Sequence, residues 1–280
     1  MSRSSEQGPL SGTGFGPSAT PTGDGPFDIP GDERYEHGGL LGRGGMGDVR
    51  TALDRRLGRV VALKTARELA SDAEEGIVAE ARLASSLDHP GILGVHDAGR
   101  TPDGRVFYTM PVMRGRTLAD ALWSAPDLAA RLRLLRHLLD VCEAVAYAHT
   151  KGVLHRDIKP ANVLVGEFGE TVLGDWGLAV TLDEARLTGW PVGTPEYASP
   201  EQRDGDWLDE RADVYGLGAT LFELLVAAHP SLDCLDVRQA IVDAAPGAPA
   251  ELIAVAGKAM APERDARYSS ARELAADLQA

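Results

Sequence analysis

The chain has 280 residues with 28 basic and 42 acidic side chains, a net charge of −14, and is 44% hydrophobic and 25% charged. That length can bury a core for one large domain or two small ones, and the composition excludes collagen-like, disulfide-scaffold and wholly disordered chains. The acidic excess argues against nucleic acid as a partner, since phosphate binding wants a basic face. Two cysteines, Cys142 and Cys234, cannot build a disulfide framework and suit a reducing compartment. No apolar run approaches the ~18 residues of a membrane span, and the N-terminus lacks a signal-peptide core, so a soluble, cytoplasmic chain is expected.

Twenty of the first 31 residues are Gly, Pro, Ser or Thr, without periodic apolar pattern. Residues 1–34 therefore read as a disordered leader that cannot offset its own ordering entropy. From Tyr35 the texture changes. Short β-like runs occur at Gly38–Leu41, Val49–Leu53, Val60–Thr65 and Val106–Met110, interrupted by a helical stretch over Asp72–Leu87. After Gly115 the pattern is mostly helical. Leu128, Leu132, Leu135, Leu139, Cys142, Ala146 and His149 recur at alternating steps of four and three, which predicts one long helix with that stripe buried and Cys142 as packing. Further helices are expected near Arg211–Ala227, Pro249–Met260 and Ser270–Leu278. A small β-rich part (35–113) and a larger helical part (114–280), joined near Pro111–Arg114, predict two lobes with a cleft between them.

Leu41-Gly42-Arg43-Gly44-Gly45-Met46-Gly47-Asp48-Val49 contains G-x-G-x-x-G, which alone could be a glycine-rich extension of the leader. A dinucleotide fingerprint would open a helix there, whereas another β-like run follows. Strand, glycine loop and strand suit a lid that approaches phosphates closely, because no Cβ intervenes. Lys64, in Val61-Ala62-Leu63-Lys64, lies 22 residues beyond Gly42, and Glu80 lies on the predicted helix, where it could hold a cleft lysine by an ion pair.

His155-Arg156-Asp157-Ile158-Lys159-Pro160-Ala161-Asn162 completes the pattern, with Asp175-Trp176-Gly177 and Gly193-Thr194-Pro195-Glu196-Tyr197-Ala198-Ser199-Pro200-Glu201 after it. In this order the motifs resemble a eukaryotic-like (Hanks-type) bacterial serine/threonine protein kinase catalytic domain over residues 35–280. The resemblance implies an α+β, two-lobed kinase fold and Mg-ATP-dependent transfer to Ser/Thr hydroxyls of protein substrates, with autophosphorylation and a place in signalling. ATP and Mg²⁺ are the implied cofactors, with Mn²⁺ as an alternative metal. Gly42, Gly44 and Gly47 would cover the phosphates, and Lys64, held by Glu80, would contact them. Asp157 would act on the substrate hydroxyl with Lys159 beside it, and Asn162 and Asp175 would hold the metal. Leu41, Val49, Ala62 and Leu164 would enclose the adenine, Met110 resembles the gatekeeper, and Pro111 and Met113 belong to the hinge. A nucleotide-binding pseudokinase scaffold and a small-molecule phosphotransferase of related fold are the alternatives. Lys64, Asp157, Asn162 and Asp175 all being present disfavours the first, and the Gly193–Glu201 segment disfavours the second.

Departures from the family pattern set further expectations. Trp176 replaces the usual Phe and would stack with His155, Val95 and the small Ala84. Ala161 stands where many arginine-seeking relatives carry glutamate. Glu201 would pair with Arg267, and Asp213 would brace the loop around Asp157. The stretch between Leu232 and Ala248 is shorter than in typical relatives, so its helix would be reduced. Thr181 and Thr188 are candidate phosphorylation sites opposite Arg156, with Arg186 as a second basic residue, and the expected dependence on them is modest. The charge divides as −3 through Arg34, −1 over residues 35–113 and −10 over 114–280, so the small lobe is nearly neutral where nucleotide would bind. Nothing in the sequence specifies an oligomeric state.

Overall fold

Alternation of side chains builds the first lobe, as the computed structural model shows for a chain described over residues 33–43, 47–67, 71–187, 191–232 and 236–280. The leader through residue 32, Gly44, Thr188 and Cys234 lie outside the described residues. Strands β1 (Tyr35–Arg43), β2 (Gly47–Asp54), β3 (Arg59–Ala66), β4 (Asp97–Arg100) and β5 (Val106–Pro111) form one antiparallel sheet in the order β1-β2-β3-β5-β4. On β5, Val106, Tyr108 and Met110 face helix α1 (Ser71–Ser85), packing with Ala62, Ala66, Ile77 and Ala81. Phe107 points the other way, into a cluster with Tyr35, Ala52, Val61 and Leu63. β4 was not foreseen: Asp-Ala-Gly-Arg has little strand propensity, and pairing with β5 imposes the conformation.

Past Pro111 the chain passes through Val112 and Met113 into β6 (Gly115–Thr117) and the helical lobe: α2 (Leu118–Trp123), α3 (Leu128–Leu132), α4 (Leu135–Thr150), α5 (Leu182–Ala185), α6 (Pro200–Asp204), α7 (Glu210–Val226), α8 (Val237–Ala244), α9 (Ala250–Ala259) and α10 (Ala271–Gln279). Helix α7 is buried almost all round, which its near-continuous apolar sequence demands, and α4, α9 and α10 pack around it. An 8-residue α8 stands in the stretch where a reduced helix is expected.

The long helix predicted from Leu128 to His149 is two helices, broken at Arg133–Leu134, which take the shallow helical dihedrals of a 3-10 turn. No Gly or Pro marks the break. Instead Arg131 donates to the carbonyls of Leu224 and Leu225, both at 3.0 Å, at the C-terminus of α7. That tie satisfies orphan carbonyls of α7 and sets the direction of α3 apart from α4. The buried face of α4 is also rotated from the expected stripe. It centres on Leu138, Val141, Cys142, Val145 and Ala148, while Leu135, Leu139 and Ala146 flank it. Cys142 is fully buried and burial pushes its thiol well above the ordinary range, so it acts as packing.

Two small sheets then position the loops between the lobes. β6, β8 (Val163–Gly166) and β9 (Thr171–Leu173) form one, and β7 (Val153–Leu154) pairs with β10 (Val180–Thr181) in the other. The residues from His155 to Asn162 run between β7 and β8, and Asp175 lies between β9 and β10.

Candidate active site

A cavity of about 440 Å³ opens between the lobes. Leu41, Gly42, Val49, Ala62, Lys64, Glu80, Met110, Pro111, Met113, Leu164 and Asp175 all line it, so β1–β3, α1, the interlobe strand and β8 bring these expected residues together. Gly47 does not line it. A Cβ there would sit 2.4 Å from the Thr65 carbonyl oxygen, so close pairing of β2 with β3 requires that glycine. Gly42 has open space around its Cα, and Gly44 lies outside the described residues. Val112, between the two hinge residues, lines it too, and Arg43, Ala84, Leu93, Tyr108, Ala161 and Trp176 also line the cavity and were not assigned to the nucleotide from the sequence.

Lys64 is buried, and its Nζ donates to both carboxylate oxygens of Glu80 at 2.7 Å, with Asp175 Oδ1 at 3.6 Å. Tyr108 donates its hydroxyl to Glu80 Oε1 at 2.9 Å, and burial first, then the Glu80 charge, raises the phenol far above its ordinary range. Tyr108 could have been found from period-two alternation, because it shares Met110's face of β5. This buried triad holds the lysine ammonium at the cavity wall.

Asp157 stands at the other side. Its Oδ2 accepts from Lys159 Nζ at 2.7 Å and Asn162 Nδ2 at 2.9 Å, and its Oδ1 from the Thr194 amide at 3.0 Å and hydroxyl at 2.7 Å. Lys159 also donates to Thr194 Oγ1, closing the triangle. Burial works to raise the Asp157 carboxyl, but hydrogen bonds from Lys159, Thr194 and Asn162 more than offset it and hold it below the ordinary carboxylate value.

The loop carrying Asp157 is strained and braced. Arg156 has φ of 66°, a left-handed conformation costly for a non-glycine residue. Buried Asp213 accepts the amides of His155 and Arg156, both at 2.9 Å, and His149 Nε2 at 2.9 Å. Gln202 reaches the Arg156 carbonyl at 2.9 Å, fixing the other side of the residue. The Asp157 amide donates to His155 Nδ1, so the ring proton sits on Nε2 and is donated to the Gly174 carbonyl at 3.0 Å. One imidazole thereby couples the Asp157 loop to the backbone just before Asp175.

Asp175 also has a left-handed φ of 55° and leaves its carboxylate half exposed toward the cavity. Asn162 spends its amide nitrogen on Asp157, donating to the carboxylate and to the carbonyl at 2.8 Å, which leaves its amide oxygen to offer lone pairs to a cation. Among the described residues no group of three or more His, Cys, Asp or Glu side chains could hold a metal alone. Two oxygen ligands fit a small hard cation that keeps waters and takes the rest of its shell from phosphate.

Trp176 follows Asp175 into a 3-10 turn and is buried, its ring 4.6 Å from His155 by centroids and edge-on. It packs in the main core with Ala84 and Val95, and Nε1 donates to the Leu173 carbonyl at 3.2 Å. The indole thus fills the volume that small Ala84 leaves. Trp176→Phe is expected to cost about 1.5 kcal/mol through the lost hydrogen bond and vacated volume, read as a lower thermal midpoint; an unchanged midpoint counts against this filling role.

Beyond Asp175, Thr181 caps α5 and its hydroxyl bonds Glu184 Oε2 at 2.9 Å, so one candidate acceptor already serves a capping box. Arg156 turns its Nε to the Leu178 carbonyl at 2.6 Å, and Arg186 is exposed at the end of α5. Thr188 lies outside the described residues. Glu201 and Arg267 form a buried fork of 2.6 and 2.9 Å below this segment.

Comparisons with known proteins agree with this geometry. The protein kinase domain family matches residues 35–275. A probable serine/threonine-protein kinase of Streptomyces coelicolor is 38% identical over 267 residues, covering 88% of this chain and 40% of the relative. The serine/threonine-protein kinase PknB of Mycolicibacterium smegmatis is 38% identical over 266 residues, covering 88% and 42%. The chain thus spans about two fifths of the length of these curated relatives. The crystal structure of the Mycobacterium tuberculosis PknI kinase domain superposes with a TM-score of 0.71 at 27% identity, covering 88% of this chain and 95% of that one. Fold, motif order and similarity converge, and the chain belongs to the protein kinase domain family.

Proposed function

We infer that the chain transfers the terminal phosphoryl group of ATP to serine or threonine hydroxyls of protein substrates. The observation that carries this reading is the set of hydrogen bonds that holds the Asp157 carboxylate beside Lys159 and Thr194, next to a cavity that presents Lys64 and Asp175. The adenine would lie between Val49, Ala62 and Leu164, with the backbone at Pro111 and Met113 along its edge. Pro111 has no N–H but keeps its carbonyl as an acceptor, and Met113 offers both groups. Gly42, near the end of β1 and on the cavity wall, would lie over the phosphates, and Gly47 would set the start of β2 behind it.

Lys64, fixed by Glu80, would meet the inner phosphates with a charge that cannot swing away. Asn162 and Asp175 would hold Mg²⁺, which would supply positive charge to offset that of the phosphates. Asp157 orients the acceptor hydroxyl and takes its proton as the oxygen–phosphorus bond forms and ADP departs. Lys159, already hydrogen-bonded to Asp157, would meet charge on the moving phosphoryl oxygens. The protein's part is positioning and electrostatics, and little covalent chemistry is left to it.

The test is incubation of the pure chain with labelled ATP, Mg²⁺ and a generic protein substrate, beside Asp157→Asn. Label on Ser or Thr with wild type and none with the variant is the expected result. ATP binding without transfer favours a nucleotide-binding scaffold, and transfer only to small alcohols favours a small-molecule phosphotransferase. Mn²⁺ in place of Mg²⁺, and mass spectrometry of the chain itself, address the metal and autophosphorylation at Thr181, Thr188 or the leader.

A further inference from the structure

Next to Asp157 lies a second polar cluster that the reaction itself does not use. Glu223, on the last turns of α7, is 1% exposed. The Tyr197 hydroxyl donates to its Oε2, and His229 Nδ1 lies 2.8 Å from the same hydroxyl and 3.5 Å from Glu223 Oε1. Tyr197 has one proton and spends it on the carboxylate, so His229 Nδ1 must be the donor to the tyrosine oxygen. Burial first, then the Glu223 hydrogen bond, raises the Tyr197 phenol well above its ordinary range, which keeps it a donor.

His229 is held in this position by the backbone. Ala227 closes α7 with φ of 59°, a left-handed turn unusual for alanine, and the chain folds back over the end of the helix. His229 also meets Trp123 edge-on, with centroids 6.4 Å apart, and Tyr197 at 5.9 Å. Trp123 is 64% exposed and ends α2, which packs against the 3-10 turn Pro160–Asn162 that follows Asp157 and Lys159. Tyr197 stands one turn after Thr194, whose carbonyl accepts its amide at 2.9 Å and whose hydroxyl bonds Asp157. Trp123 and His229, both exposed and backed by buried Tyr197, therefore form an aromatic ledge on the side of the Asp157 loop.

We propose that His229 is a specificity-determining residue of the substrate groove: it covers the Glu223 carboxylate against arginine and lysine side chains, and with Trp123 it offers an aromatic ledge to an uncharged substrate side chain. A buried carboxylate beside a polypeptide groove attracts a guanidinium through charge-assisted, forked hydrogen bonds. Here an imidazole nitrogen lies 3.5 Å from its Oε1, and Ala161, exposed on the 3-10 turn against which α2 packs, adds no compensating acid. Rejection follows because a basic side chain laid on the ledge finds no open carboxylate to repay its lost hydration.

The inference rests on the phosphoryl-transfer reading, and one experiment separates the two. A library of serine and threonine peptides, randomised on both sides of the acceptor, is phosphorylated by wild type, His229→Ala, His229→Gln and the double variant His229→Ala with Glu223→Gln. Wild type is expected to show no selection for arginine over leucine at any position. His229→Ala is expected to gain about tenfold arginine preference at one position, the worth of one charge-assisted hydrogen bond. The double variant is expected to lose that gain, and His229→Gln, which keeps an N–H over the carboxylate, to stay near wild type. Transfer with the same arginine-to-leucine ratio in wild type and His229→Ala overturns this inference alone, as does a wild type that already selects arginine. A wild type that labels no peptide overturns the phosphoryl-transfer reading and this inference with it.

Discussion

Asp157→Asn is expected to lower the rate of phosphoryl transfer about a thousandfold, within the usual range for a positioned base, while ATP binding by calorimetry stays close to wild type. The substitution keeps size but not chemistry. Two donors converge on Oδ2, Lys159 at 2.7 Å and Asn162 at 2.9 Å, and an amide nitrogen placed there would oppose both. Turning the amide the other way sets it against the Thr194 hydroxyl and N–H instead. Loss therefore comes from the missing base and from a loosened Lys159–Thr194 triangle together. The pH profile provides a second readout. The ordinary value is 3.8, and the folded carboxyl lies below it. Its ionised form is present at all pH above that point and is lost only as pH falls through the depressed value. Wild type should thus show no acid limb from Asp157 at mildly acidic pH. Lys159→Met removes the largest stabilising contact, so its rate should fall off at higher pH than wild type. An identical profile in the two proteins would show that Lys159 does not tune Asp157.

The contrast between what was and was not legible in the sequence has a physical basis. Motifs at which backbone and chemistry coincide, such as Asp157 to Asn162 or Lys64 with Glu80, are read directly, because residue type and spacing both follow from the job. The strands β2, β3 and β5 were legible from alternation, and α7 from its apolar density. The break between α3 and α4 was not, since its cause is Arg131 reaching the carbonyls of residues 224 and 225, about ninety positions away, a contact no local pattern encodes. The rotation of the α4 face has the same origin: a stripe of leucines and a stripe of smaller residues both satisfy the helical period, and only packing against α7 decides between them. Tyr108 was hidden because an aromatic in a strand is ordinarily core, and His229 because nothing near it in the sequence announces Tyr197 or Glu223. Functional contacts made across long separations are where sequence reading ends.

Arg267→Met is expected to destabilise the fold by about 4 kcal/mol, the usual cost of stranding one partner of a buried ion pair, and to lower the thermal midpoint by about 10 °C. The Arg267 side chain is fully buried and makes a two-pronged contact with Glu201 at 2.6 and 2.9 Å. It also donates to the carbonyls of Ala261 at 2.7 Å, Arg211 at 3.1 Å and Pro262 at 2.9 Å, so its removal takes a donor from three acceptors besides the carboxylate and leaves those of Ala261 and Pro262 orphaned. Those groups join α6, the start of α7 and the loop after α9, which places the segment ending at Glu201 under the Asp157 loop. The pH dependence separates charge from packing. Burial works to raise the Glu201 carboxyl, but Arg267 more than offsets it and holds the group below its ordinary 4.5. In wild type that stabilisation is fully present above 4.5 and is lost as pH falls through the lower folded value. In Arg267→Met the carboxyl keeps only the Glu201 amide and the Ser199 hydroxyl against burial, its value rises, and protonation relieves part of the strain at higher pH than in wild type. Denaturant melts of both proteins should therefore show a stability difference that is largest near neutrality and shrinks toward pH 4.5. A difference constant with pH would assign the loss to packing and the orphaned carbonyls, with the Glu201 charge contributing nothing measurable.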